Sequence, residues 1–230
     1  MSETLTTGAN REKDDTVLEV EGLHKAFGGL GATDDASFAV ERGTITALIG
    51  PNGAGKSTIF NLVSGFYEPD AGTVRVNGTD VTGMEPHEVA TEGLIRTFQT
   101  PRKLEGMTVR EAMLVGASDQ PGESFLKLFT DPSGVEAAER ANIEDAHEML
   151  EQFEIGHLAT QPATDLSGGQ MKPVELASSL LAEPVILRLD EHVAGDTPTP
   201  ANNLSDHIAR LNEEGVTLCL PEHDLEFVMH

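Results

Sequence analysis

Basic residues are scarce in this chain: 15 lysines and arginines stand against 39 aspartates and glutamates over 230 residues, a formal charge of −24. That balance repels phosphate backbones at long range and argues against a nucleic-acid role built on a basic face. Long apolar runs are missing as well. A bilayer crossing needs about 20 consecutive apolar residues, and the richest stretch, between Ile45 and Ile49, is far too short. The first sixteen residues carry Arg11 and Lys13 among acids and lack the apolar core and small-residue cleavage site of a secretory signal. They read as a solvated tail. Cysteine occurs once, as Cys219 in the apolar run 216–220, which excludes an internal disulfide and predicts a buried, reduced thiol in a cytoplasmic compartment.

The acidic excess is spread along the whole chain, and lysine occurs only six times. This pattern implies a salt-rich, halophilic cytoplasm, where a short Debye length screens the self-repulsion. With 38% apolar residues, the chain is long enough for one globular domain carrying a subdomain.

Residues 17–22 alternate as a strand should, and residues 37–40 and 44–49 give two more strands around a turn at Gly43. The run 44–49 is apolar enough for burial on both faces. Glycines 50, 53 and 55 follow it, and then residues 56–64, whose Ile59, Phe60, Leu62 and Val63 mark the inward face of a helix ending at Gly65. Residues 73–76 with Asn77-Gly78 predict a strand entering a tight turn, 86–93 a short helix with Pro at its start, and 94–99 another strand. From 101 to 165 the pattern turns helical. Thr108 and Glu111 form a capping pair, and Val135, Ala138, Ala146, Met149, Leu150 and Phe153 keep helical spacing around a looser, turn-rich stretch at 116–134. Two further strand-like runs, 185–189 and 216–220, are separated by a helix candidate at 201–212. Strands alternating with helices imply a largely parallel α/β sheet.

Gly50-Pro51-Asn52-Gly53-Ala54-Gly55-Lys56-Ser57 fits G-x-x-x-x-G-K-[ST] between a strand and a helix, the context that makes this pattern a phosphate loop. Glycine-rich backbone can curl so that successive N–H groups face β- and γ-phosphates, and the helix start adds partial positive charge. Lys56 would neutralise the phosphates and the Ser57 hydroxyl would ligate Mg2+, with Thr58 completing the binding set. The run from Val185 to Leu189 ends in Asp190 and Glu191, as a Walker B strand must. Asp190 would hold Mg2+ and Glu191 would polarise the attacking water.

Leu166-Ser167-Gly168-Gly169-Gln170 adds a third element, an N-capped helix start that can also serve as an anion site. The three motifs in this order resemble the ATP-binding cassette (ABC) ATPases, over most of residues 17–228. The resemblance implies an α/β fold: a P-loop NTPase core with a mostly parallel sheet, an N-terminal antiparallel β portion and an inserted helical subdomain. It divides the chain into a polar tail (1–16), the first part of the nucleotide-binding core (17–98), the helical subdomain with the signature motif (99–183) and the second part of the core (184–230). It also implies that Ser167, Gly168, Gly169 and Gln170 close over the γ-phosphate held by an opposite subunit. Gln99 matches the glutamine linking metal to helical subdomain, His223 the switch histidine that contacts γ-phosphate, and Phe27 the aromatic that stacks on adenine. Each has a plainer alternative: Phe27 as core, Gln99 as a strand-end polar residue, His223 as a helix N-terminal residue.

Within the family, Phe27-Gly28-Gly29-Leu30, Arg96-Thr97-Phe98-Gln99, the run from Met107 to Glu111 and the run from Leu211 to Gly215 are similar to the ATPase subunits of branched-chain amino-acid importers. The resemblance therefore implies a peripheral ATPase on the cytoplasmic face of the membrane. Its partners would be a second ATPase subunit, transmembrane permease subunits and an extracytoplasmic solute-binding protein, with ATP and Mg2+ bound. Several positions depart from the pattern. His192 replaces the usual Pro, Thr197 the usual Asp or Asn, and Arg188 places a cation inside a strand, where it must find a carboxylate, reach solvent or destabilise the sheet. Pro173 falls in a helix and Pro221 in a strand, and the chain ends at His230, sooner than family cassettes do. These departures leave open an alternative, a degenerate module that binds ATP without turnover.

Overall fold

The computed structural model describes residues 3–7, 15–97, 105–118, 120, 125–189 and 204–222. In chain order the strands are β1 (Glu3–Thr7), β2 (Thr16–Phe27), β3 (Leu30–Glu41), β4 (Ile45–Ile49), β5 (Ala71–Val76), β6 (Thr79–Asp80), β7 (Leu94–Arg96), β8 (Ile186–Arg188) and β9 (Leu218–Glu222). The helices are α1 (Lys56–Val63), α2 (Pro86–Thr91), α3 (Val109–Leu114), α4 (Phe125–Thr130), α5 (Pro132–Gln152), α6 (Gly168–Leu180) and α7 (Leu204–Glu213). Contacts divide the chain into two compact units. One comprises Met1–Gln99, Pro184–Gly195 and Ile208–His230, the other Thr100–Glu183 and Asp196–His207.

The first unit holds both sheets. In the antiparallel sheet, ordered β3-β2-β5-β6, the β2–β3 hairpin is longer than the sequence pattern predicts. Its two-residue turn, Gly28-Gly29, has φ of 54° and 87°, the mirror-image turn whose twist matches that of paired strands and which L side chains disfavour. Phe27 and Leu30 therefore face each other across the hairpin's end. The sequence pattern gives a shorter hairpin because Lys25, Asp34 and Asp35 interrupt the apolar alternation, yet Asp34 and Asp35 are exposed on the outer strand β3 and Lys25 is paired with Asp70.

The second sheet has the order β1-β4-β9-β8-β7. β4, β9, β8 and β7 run parallel, so their carboxyl ends share one edge, the edge at which α/β sheets gather ligands. β1 pairs antiparallel with β4, from Glu3 opposite Ile49 to Thr7 opposite Ile45. This differs from the reading of the first sixteen residues as a solvated tail. Threonine-rich sequence is polar and strand-forming at once, and an uncovered β4 edge would expose unpaired backbone groups.

Helix α1 lies in the core that the two sheets share. Its Ile59, Phe60, Leu62 and Val63 join one buried cluster with Val17, Leu18 and Val20 of β2 and with Leu48, Ile186 and Cys219 of the parallel sheet. Each large apolar side chain buried there contributes about 1.5–3 kcal/mol. Cys219 is the buried thiol that its apolar run predicts.

The second unit is helical. α3 packs on α5 and α6, and α5 on α4 and α6, around Met113, Leu150, Phe153 and Leu176. The predicted capping pair opens α3: Glu111 N–H donates to Thr108 Oγ1 at 3.3 Å, and Thr108 N–H donates to Glu111 Oε2 at 2.8 Å. Within the stretch read as turn-rich, residues 125–130 are helical. Among the described residues no helix is long and apolar enough to cross a membrane.

Candidate functional site

The loop after β4 is shaped by backbone rather than by side chains. Gly53 and Gly55 adopt φ of 82° and 87°, Ala54 N–H donates to Pro51 C=O at 3.1 Å, and Ile59 N–H donates to Gly55 C=O at 2.9 Å as α1 begins. Gly55 has a second reason to be glycine, because a Cβ there would lie 2.3 Å from the Ala32 carbonyl oxygen of β3. No real side chain tolerates that approach, so the loop is pressed onto the β2–β3 hairpin. Leu30, across from Phe27, is two residues from Ala32, about 7 Å along the strand.

Lys56 is buried, yet its ammonium turns back onto the loop, donating to Gly50 C=O at 2.6 Å and to Pro51 C=O at 3.3 Å. Ser57, in the first turn of α1, is exposed, as are Pro51, Asn52 and Gly53. Gly50, Pro51, Asn52, Gly53, Ala54, Gly55, Lys56, Ser57 and Thr58 thus form one continuous cradle. It offers curled N–H groups, one cation and an outward hydroxyl, a donor set that fits a polyphosphate with a hydrated divalent cation. Thr33, beside Gly55, buries a hydroxyl with no hydrogen-bond partner among the described residues.

Phe27 is 43% exposed, so it is not the core residue of its plainer alternative. Tyr67 meets its ring edge-on, with centroids 5.3 Å apart and planes at 72°, and Lys25 Nζ lies 5.7 Å from its centroid. Asp70 ties this group together: it accepts from Lys25 Nζ and from Ala26 N–H, both at 2.8 Å. Those two bonds, the lysine's first, hold the Asp70 carboxyl below the usual carboxylate range. Sequence reasoning missed Tyr67, Lys25 and Asp70. The available signal was weak, a Phe-Tyr pair just past a helix end and a lysine two residues before an aromatic.

In the second unit Ser167 caps α6. Gln170 N–H donates to Ser167 Oγ at 3.3 Å, and Ser167 N–H donates to Gln170 Oε1 at 3.0 Å. Gly168 opens the helix and Gly169 follows it. Pro173 sits inside α6 without breaking it, and Pro221 sits within β9 opposite Leu48. Gln99, Asp190, Glu191 and His223 lie outside the described residues, as do His192 and Thr197. The strands that lead to the first four, β7, β8 and β9, run parallel to β4 in the same sheet, with β9 beside it.

Arg188 is accommodated by a route the sequence reading did not consider. Its guanidinium donates through Nη1 to Phe60 C=O at 3.4 Å and Ser64 Oγ at 3.3 Å, both at the carboxyl end of α1. The partial negative charge of a helix end suits a cation there.

A family model described as ABC transporter matches residues 33–194. The chain is 39% identical over 214 residues to the probable branched-chain amino acid transport ATP-binding protein LivG of Methanocaldococcus jannaschii, covering 93% of this chain and 82% of that protein. It is 39% identical over 215 residues to the high-affinity branched-chain amino acid transport ATP-binding protein BraF of Pseudomonas aeruginosa, covering 93% and 84%. Among solved structures it resembles a nucleotide-free ATP-binding cassette from an ABC transporter, with TM-score 0.74, 38% identity and coverage of 93% and 84%. It also resembles the ADP conformation of an ATP-binding cassette, with TM-score 0.74, 36% identity and coverage of 93% and 83%.

Proposed function

This chain belongs to the ABC transporter family, and from that premise we propose how its residues serve an importer. It is an ATP-binding, ATP-hydrolysing subunit of an ABC importer for branched-chain amino acids. The cradle of residues 50–58 carries the reading: Gly55 is locked onto Ala32, Lys56 is held at the loop and Ser57 is turned outward.

In this reading the loop N–H groups and Lys56 bind the β- and γ-phosphates, and Lys56 leaves its two loop carbonyls to do so. Phe27 stacks on adenine. Ser57, Asp190 and Gln99 would hold Mg2+, which would supply positive charge to offset the charge developing on the phosphate oxygens. Glu191 orients and deprotonates the attacking water, and His223 contacts the γ-phosphate. Ser167, Gly168, Gly169 and Gln170 close over the nucleotide of a second ATPase subunit. The helical unit passes closure to transmembrane permease subunits at the cytoplasmic face, and a solute-binding protein delivers the cargo from outside. Support for a working motor comes from the departures described: α6 runs through Pro173, β9 runs through Pro221, and Arg188 finds acceptors.

The test is Mg2+-dependent ATP hydrolysis by the purified chain in molar KCl, against Glu191→Gln as blank, with ATP binding measured in parallel. Turnover above the blank is expected. Binding without turnover, with permease subunits supplied, would restore the degenerate module.

A further inference from the structure

Phe27 and Tyr67 are exposed aromatics held in a defined arrangement, which isolated surface rings are not. Phe66 N–H and Tyr67 N–H both donate to Asn61 C=O, at 2.8 and 3.2 Å, so the last turn of α1 carries the tyrosine. The next residues are laced to β2: Lys25 Nζ donates to Glu68 C=O at 2.6 Å, Asp70 accepts from Lys25 and Ala26, and Asp70 N–H donates to His24 C=O at 2.9 Å. Phe27 is thereby clamped by its strand neighbours on one side and by the Tyr67 ring on the other. Both rings remain open to solvent, at 43% and 41%. The opposite end of α1 is the phosphate cradle, and Gly55 of that cradle touches β3 close to the cross-strand partner of Phe27.

We propose that Tyr67 and Asp70 are positioning residues that hold the Phe27 ring as the stacking platform for the base of the bound nucleotide. The proposal rests on the reading of Phe27 as the stacking residue. Tyr67 acts through its ring edge, which fixes the tilt of Phe27. Asp70 acts through Lys25 and the Ala26 N–H, which fix the strand end. Neither is needed for the phosphates, so their effect falls on nucleotides with an aromatic base and spares inorganic polyphosphate.

The chain contains one tyrosine and no tryptophan, so tyrosine fluorescence reports Tyr67 alone. The full chain is titrated with Mg2+-ATP and separately with Mg2+-tripolyphosphate, recording calorimetric affinity and red-edge-excited tyrosine emission. ATP is expected to change the emission and tripolyphosphate to leave it unchanged. Phe27→Ala should weaken ATP about tenfold, the scale of one base–aromatic stack, without weakening tripolyphosphate. Tyr67→Ala and Asp70→Asn should each weaken ATP severalfold with tripolyphosphate unchanged, whereas Tyr67→Phe, which keeps the ring edge, should bind ATP as the unaltered chain does. If Phe27→Ala weakens ATP while Tyr67→Ala and Asp70→Asn do not, the positioning proposal fails and the stacking role of Phe27 stands. If Phe27→Ala leaves ATP binding intact, both fall. Equal losses for ATP and tripolyphosphate in Tyr67→Ala and Asp70→Asn would mark a general disturbance of the fold and overturn the proposal.

Discussion

The guanidinium of Arg188 lies over the Phe60 ring at 4.8 Å, in a strand residue only 4% exposed. A cation taken from water into a core recovers part of its hydration through the aromatic face, and part through the Phe60 carbonyl and Ser64 hydroxyl at the end of α1. These bonds are long, and desolvation of a cation costs several kcal/mol. Replacement by an apolar side chain of similar volume, Arg188→Met, is therefore expected to leave the urea midpoint unchanged or raise it by the equivalent of about 1 kcal/mol. A loss of more than about 2 kcal/mol would show that the contacts outweigh the desolvation.

Thr33 is a different case, a buried neutral polar group. Its buried hydroxyl has no partner among the described residues, and valine has nearly the same shape. Thr33→Val should stabilise the protein by about 1 kcal/mol, since an unsatisfied buried hydroxyl costs about 1–3 kcal/mol. A lower melting temperature for the variant would mean that the hydroxyl is in fact bonded.

Cys219 sets a limit at high pH. Burial pushes its thiol up from 9.0 to about 12, and the nearby Arg188 cation opposes that only in part. The folded state therefore binds the proton more tightly than the unfolded chain. Stability from this group is whole below pH 9 and is lost as pH rises towards 12, because only the unfolded chain ionises freely. Denaturant midpoints should decline through that window, and Cys219→Ala should decline less. Thiol reagents should label the native protein slowly and the urea-unfolded protein at once.

A formal charge of −24 means self-repulsion in dilute buffer, where the Debye length is about 30 Å at 0.01 M and falls to about 3 Å at 1 M. The melting temperature should rise from dilute buffer to molar KCl, with most of the gain at low salt. Equal stability in both would remove the salt-rich cytoplasm from consideration.

What the sequence made legible was local. The spacing of residues 50–57, the Thr108–Glu111 capping pair and the Asn77-Gly78 turn each involve neighbours in the chain, and each forms as expected. Contacts between distant residues were hidden. Gly55 is pressed against Ala32, Phe27 against Tyr67, and Arg188 against the end of α1. Polar composition misled at the turn end of the first unit's hairpin and at Glu3–Thr7, because it reports exposure rather than strand pairing. For Arg188 the sequence posed the right question, the whereabouts of a partner for a cation in a strand. The answer depended on which helix end lay beneath it.

Helix α1 works as a ruler. Its eight residues span about 12 Å at 1.5 Å each, and that length sets the spacing between the loop at its start and the side chains anchored at its end. Substitutions along its exposed face leave the spacing alone. One inserted residue would lengthen it by about 1.5 Å and turn Asn61, Ser64 and Tyr67 by about 100° relative to the loop, detaching Tyr67 from Phe27 and Ser64 from Arg188 together. Over this stretch the chain's length is a tighter constraint than its composition.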